Sequence, residues 1–420
     1  MGNLPGLVLK NVALPGGRIA DVTIQAGHIV HVGSAAPLRE TIDCKNQFVL
    51  PAAVDMHVHM RGGTQSAKED WASGSRSALA GGVTVVVDQP NTVPPLTTPE
   101  LFRKRVIEAQ AHSLCRYAIN SAVTPDTPLE AMWVAGAMAF GETFYAPSSY
   151  GEALSEPALM QSFQRISKLG ALVTIHAEDV TTREDPDLIS HDTIRSAAGE
   201  LRAIKNVTTC NTTNCRLHFC HLSTAESVDA ATGTVEVTPH HLFLSREQFS
   251  NDDTLAKVNP PLRSERERKK MWSRWNRIDV IASDHAPHTL MDKHTLFNNA
   301  SSGIPGVETM VPLLLAEVQK NTISLSDVIN KTSIVPAALL GISPAGFSPG
   351  SRADFAIYPK EVTRIDPDSL HSKCGWTPFA GHFAIFPGTV ILNGTIVYKD
   401  GDFTKSEPAW IPGNGYIGNS

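Results

Sequence analysis

What this 420-residue sequence lacks narrows its function first. No apolar run approaches the roughly 18–20 residues of a membrane span, which argues against a membrane partner. No block of lysine or arginine stands out: 36 basic residues stand against 42 acidic ones, for a net charge of −6. The densest charged stretch, "RSERERKK" (263–270), is mixed in sign and reads as a solvated helix face. Nucleic acid is therefore not an expected partner, and a small anionic ligand would have to be held by specific groups. Six cysteines are too few for a disulfide framework in a chain this long, and the spacing of Cys210, Cys215 and Cys220 is not that of a zinc knuckle. The opening "MGNLPGLVLKNVALPGG" lacks the basic start, apolar core and cleavage site of a secretory leader. Reduced, structural thiols and a cytoplasmic location are the expectation. A glycine-rich phosphate loop is also missing.

What is present is a repeating alternation. Residues 1–48 read as short antiparallel strands with glycine turns, and the stretch from about 346 to 420 looks alike ("ADFAIYP", "GTVILNGTIVYKDG"). The two ends are expected to form one small β-sandwich domain, with 49–345 inserted between them. That middle part alternates short apolar runs with amphipathic ones, the pattern of βα units. Candidate strands are 48–59, 83–91, 116–123, 137–144, 171–179, 216–223, 234–241 and 279–288. Helical stretches such as "KEDWASGSRSALAGG" and "EALSEPALMQSFQRISKLGA" lie between them. Eight near-equal units predict an α/β fold, a (β/α)8 TIM barrel, in preference to a doubly wound open sheet.

Polar residues gather at the C-terminal ends of these candidate strands: His57, His59, Asn91, Glu142, His176, His221 and Asp284. In a parallel barrel those ends share one mouth. His57 and His59 in "VDMHVHMRGG" are at strand spacing i, i+2 and face the same way. Four imidazoles and a carboxylate meeting at one rim suit a divalent cation, zinc first, with manganese or cobalt as alternatives. A lone histidine would read as a hydrogen-bonded core residue, but five such groups at strand ends would each need a partner.

"HVHMR", "KEDWASGSRSALAGGVTVVVDQPNTVPP", "IHAED", "CHLS", "PHHLFLS", "KVNPPLR" and "SDHAPHT" occur in that order. The set resembles the dihydroorotases, cyclic amidases of the amidohydrolase superfamily, over roughly residues 48–345. The resemblance implies interconversion of dihydroorotate and N-carbamoyl-aspartate in pyrimidine biosynthesis. It implies one or two zinc ions, with His57, His59 and Asp284 on the deeper metal and His176 and His221 on the second. Asp284 would be general base and then general acid. Arg61, Asn91 and His288 would hold the substrate carboxylate, with Asn259 and the backbone of "SGIPGVET" (302–309) against the ring amide. A homodimer is the family's tendency, and an aspartate transcarbamoylase is the candidate protein partner. Many members carry a carboxylated lysine in the fourth strand, but "GAMAFGETFYAPS" has none, and Glu142 is the expected bridging or ligating group. "RGGTQ" (61–65) replaces the usual "REPG"-like turn, and His240 and His241 are expected to be structural. The rivals are an allantoinase or dihydropyrimidinase, in which the resemblance implies no arginine after HxH, and a non-catalytic dihydroorotase-like subunit, in which metal ligands are lost.

Overall fold

The valine-rich runs between the amphipathic stretches form eight short strands. The computed structural model describes residues 6–38, 40–147, 153–180, 184–407 and 409–418. The strands are β1 (Ala53–Val58), β2 (Val83–Asp88), β3 (Arg116–Ile119), β4 (Phe140–Phe144), β5 (Leu172–His176), β6 (Arg216–Phe219), β7 (Thr234–Val237) and β8 (Val280–Ile281). Neighbours within β1–β3 and within β4–β8 pair in parallel. Parallel bridges Ser121–Phe140 and Val58–His285 join the two runs, so the ring is closed and leaves no edge strand. After successive strands come the helices Trp71–Ala80, Pro99–His112, Leu129–Ala135, Glu156–Leu169, Ala197–Cys210, Ala225–Ala230, Glu265–Trp272 and Met310–Gln319. This is the expected (β/α)8 TIM barrel.

Local chemistry sets the element ends. Asp70 accepts from Ser73 N, and Ser73 returns a bond to the Asp70 backbone, a capping box that starts the first helix. The run 48–59 is not one strand. Phe48–Pro51 pairs antiparallel with Phe355–Tyr358, and the chain passes into the barrel at Ala53. Ala52 N still donates to Asp354 O at 3.0 Å, whereas Ala53 N donates to Gly82 O at 3.0 Å, so the change of sheet falls between these two residues. The run 234–241 also divides: β7 stops at Val237 and Pro239 opens a helical turn, Pro239–Phe243.

The barrel interior is apolar below and polar above. Val54, Met56, Val85, Val87, Ala118, Leu172 and Val280 pack together from five strands, with Ala337, Leu340 and Ile342 filling the floor. Register with β2 slips between Asp55 and Val58. Inward facing thereby passes from Val54 and Met56 to His57 and His59. A larger cluster, including Phe102, Ile166, Val173, Phe219 and Val235, cements strands to helices. Each such side chain contributes roughly 1.5–3 kcal/mol by leaving water.

The flanking segments form two further sheets. One runs His28–Gly33, Ile19–Gln25, Leu7–Ala13, Glu40–Asp43; the other runs Asp402–Phe403, Thr395–Lys399, Thr389–Leu392, Phe355–Tyr358, Phe48–Pro51. Leu7, Leu9, Val22 and Ile24 of the first share a core with Val49, Phe355, Ile357 and Ile391 of the second. Parts of the C-terminal stretch instead touch the barrel: Ile411 N donates to Tyr117 O at 2.8 Å, and Trp376 Nε1 to His288 O at 2.8 Å. The six cysteines are buried free thiols. Among the described residues no helix is long and apolar enough to cross a membrane.

Candidate active site

At the C-terminal mouth of the barrel lies a cavity of about 360 Å³. His59, Arg61, Asn91, Glu142, His176, Asn259, Asp284 and His288 line it, together with Ser302 and Gly303. His57 and His221 stand directly behind Glu142 and Asp284. All ten residues singled out from the sequence therefore meet at one place.

The imidazoles and carboxylates form one connected group. His57 Nε2 lies 3.6 Å from Asp284 Oδ1 and 3.7 Å from Glu142 Oε2. His59 Nε2 is 3.0 Å from Asp284 Oδ1. Glu142 Oε1 reaches His176 Nδ1 at 2.6 Å and His221 Nε2 at 2.8 Å. Donor atoms of His57, His59 and Asp284 lie within 4.8 Å of one another, as do those of His57, Glu142 and His221. His221, Asp284 and Arg61 take left-handed backbone angles (φ 34°, 44° and 49°) that residues with side chains rarely adopt. Buried carboxylates hold these turns. Glu236 accepts from His221 N at 3.0 Å, Asp55 from Ser283 N at 3.1 Å, and Asp88 from Met60 N at 2.8 Å.

This donor set fits a divalent cation. Glu236 Oε1 fixes His57 Nδ1 at 3.0 Å, so Nε2 is the ring's free donor; it is buried and has no hydrogen-bond partner. Asn91 Oδ1 holds His59 Nδ1–H at 2.8 Å, which turns the Nε2 lone pair onto Asp284 Oδ1. Two acceptors facing each other call for a positive charge between them. His176 sits between Glu142 and Glu178, the latter 2.5 Å from Nε2. Burial opposes its charged form, but the two carboxylates prevail and push it up to about 9. His57 is also raised well above its ordinary range, where Glu236 and Asp284 outweigh burial. Glu142 is held well below the usual carboxylate range, its three histidine partners overcoming burial. Asp284 is lowered as well, by His57 and His59 against burial.

The opposite wall is cationic. Arg61 donates from Nε to Pro287 O at 3.3 Å, and its Nη2 lies 3.2 Å from His288 Nε2. Burial brings Arg61 down to about 10, so it stays charged at neutral pH. Lys68 Nζ approaches His288 Nδ1 at 3.1 Å. Burial, then Arg61 and Lys68, drive the His288 pKa far below its ordinary value, so the ring is neutral. Gly303 closes this side (φ 148°); a Cβ there would meet Ala286 O at 2.5 Å and His288 Cδ2 at 3.0 Å. Asn259 lines the cavity, and its Oδ1 is buried without a hydrogen-bond partner.

Several site residues escaped the sequence reading. Glu236 and Glu178 orient His57 and His176, and Lys68 reaches His288. Arg195 lines the cavity and pairs with Glu178. Glu236 had a visible signal, a single charge within the buried strand "TVEV". Asn91 is at the cavity, but its carbonyl oxygen serves His59. Arg263 departs from the solvated-face expectation. It is buried, donating to Asp192 Oδ1 at 2.5 Å and Ser223 Oγ at 2.9 Å, because carboxylates converge on it. His240 and His241 are buried beside the site, and His241 bonds Thr238 Oγ1 and Pro260 O.

The amidohydrolase family profile matches residues 48–397. A dihydroorotase of Halobacterium salinarum is 38% identical over 411 residues, covering 94% of this chain and 97% of that one. One from Methanosarcina acetivorans is 37% identical over 424 residues, covering 93% and 91%. Among solved structures, the L-hydantoinase (dihydropyrimidinase) of Arthrobacter aurescens superposes with a TM-score of 0.90 at 25% identity, covering 97% of this chain and 99% of that one. The D-hydantoinase (dihydropyrimidinase) of a Thermus species gives 0.87 at 22% identity, covering 97% and 99%, a likeness of fold alone.

Proposed function

The chain belongs to the amidohydrolase family, and on that premise we propose that it is a dihydroorotase, a metal-dependent cyclic amide hydrolase that interconverts dihydroorotate and N-carbamoyl-aspartate. His57, His59 and Asp284 would hold one ion, and His176 and His221 a second, with Glu142 between the two sets. Zinc suits a donor set of imidazoles and carboxylates. When bound, the metal supplies an activated water and polarises the amide carbonyl.

The chain's own residues do the rest. Asp284 Oδ1, within reach of both His57 and His59, takes a proton as water adds to the ring carbonyl. It returns that proton to the ring nitrogen as the C–N bond breaks, leaving the open carboxylate product. Arg61 and His288 hold the carboxylate that the ring carries, which fixes the ring's orientation before reaction. Asn259 Oδ1 accepts from a ring N–H.

The observation that carries dihydroorotate over its neutral relatives is the buried Arg61–His288 wall, which an uncharged substrate would leave unpaired. Purified protein should contain tightly held metal and turn over dihydroorotate in preference to allantoin and dihydrouracil. Arg61→Met should raise KM for dihydroorotate about 10–100-fold, the loss expected for a charge-assisted bidentate contact. Preferential turnover of allantoin or dihydrouracil would overturn this reading in favour of the sister amidases. Metal-free, inactive protein would favour a structural subunit.

A further inference from the structure

We propose that Lys68 is a positioning residue: it fixes which nitrogen of His288 carries the proton and thereby keeps Arg61 from closing on His288, leaving the guanidinium free for an incoming carboxylate. The proposal rests on reading that wall as the carboxylate anchor. Lys68 follows Arg61 in the loop "GGTQSAKED", is half-buried, and also lies 3.7 Å from Asp292 Oδ2.

The argument is one of donors and acceptors. Neutral imidazole has one N–H and one lone pair, and an ammonium group can only donate. With Lys68 Nζ at 3.1 Å, His288 Nδ1 must be the acceptor and Nε2 must carry the hydrogen. Nε2–H then donates to Ser302 O at 3.0 Å. The 3.2 Å approach of Arg61 Nη2 to the same nitrogen is consequently a meeting of two donors, not a hydrogen bond. With Nε2–H held by Ser302 O, Arg61 Nη2 finds no acceptor on His288 and keeps its N–H for a carboxylate oxygen at the cavity wall. The other tautomer would invert this. Nε2 would accept from Arg61, and the pair would close on itself, so that this N–H of Arg61 would no longer be offered to the substrate. Lys68 excludes that state from outside the contact surface.

Three variants test this, Lys68→Met, Lys68→Gln and Arg61→Met, in the metal-loaded enzyme with dihydroorotate as substrate. Lys68→Met should raise KM about tenfold or more with kcat changed less than about twofold, because a binding geometry is lost and not a reacting group. Lys68→Gln, whose amide also donates, should recover most of that loss. Ring 15N spectra of histidine-labelled protein should show the hydrogen of His288 on Nε2 in the parent and on Nδ1 in Lys68→Met. The proposal is overturned if Lys68→Met leaves KM within about twofold, if the ring signal does not change, or if the glutamine variant behaves as the methionine one. Arg61→Met separates the layers. If it raises KM while Lys68→Met does not, only the role of Lys68 fails. If Arg61→Met itself leaves KM unchanged, the carboxylate anchor fails.

Discussion

Histidines on the two walls of the cavity are driven in opposite directions. On one wall His57 and His176 stand among Glu142, Glu178, Glu236 and Asp284, and both are pushed toward the charged form, His176 to about 9. On the other, His288 lies between Arg61 and Lys68 and is held neutral, its pKa far below the ordinary range. Burial opposes charge in all three, so burial cannot explain the difference. The neighbours do. One wall has an excess of acceptors and seeks a cation, and the other an excess of donors and seeks an anion. On the proposed function, a metal ion and a substrate carboxylate would satisfy the two demands, with the ring amide between them.

The contrast can be broken most severely on the acidic wall. Asp284→Asn would remove the proposed proton carrier and one proposed ligand charge, and kcat should fall about 10²–10⁴-fold. Rate measurements alongside metal analysis check this, and a loss under tenfold would move the proton's destination elsewhere. Glu236→Gln should be milder. It touches no substrate but weakens the hold on His57 Nδ1, and metal affinity should drop about 10–100-fold in competition with a chelator. At saturating metal, KM for dihydroorotate should remain that of the parent, because the donor wall is intact. Least of all should turnover respond to Phe355→Ala, in the core shared by the two flanking sheets. That change should cost about 3–5 kcal/mol in denaturant unfolding while kcat and KM at 25 °C stay as they were. An altered kcat would show that the flanking sheets set the geometry of the mouth.

The sequence was informative where chemistry and periodicity coincide. His57 and His59 end an apolar strand, and His176, His221 and Asp284 repeat that pattern on other strands. A parallel barrel then brings them to one rim. Glu142 could be read in the same way, and the structure buries it among His57, His176 and His221. Residues that serve the site through another side chain were not legible. Lys68 is one polar residue in a polar loop, and nothing local reveals that Arg61 and His288 lie beside it. Arg263 belongs to a stretch whose mixed charges read as solvent-facing, yet Asp192 and Glu200 arrive from remote segments. Apolar continuity also hid a change of sheet, since Phe48–Pro51 and Ala53–Val58 look like one strand until their pairing partners are known.

The seam between β1 and β8 has a consequence for assembly. His59 N donates to His285 O at 2.8 Å across that seam, and the neighbouring His59–Asp284 contact joins positions 225 apart in the chain. Closing so long a loop costs on the order of 5 kcal/mol of chain entropy by the logarithmic scaling. A chain emerging from the ribosome therefore has no complete ion cradle until its eighth strand has docked. Once docked, an ion held by the proposed ligands would tie first strand to last and favour the closed ring by mass action. The same ion would thus act as a latch on the finished barrel, withheld from every unfinished one.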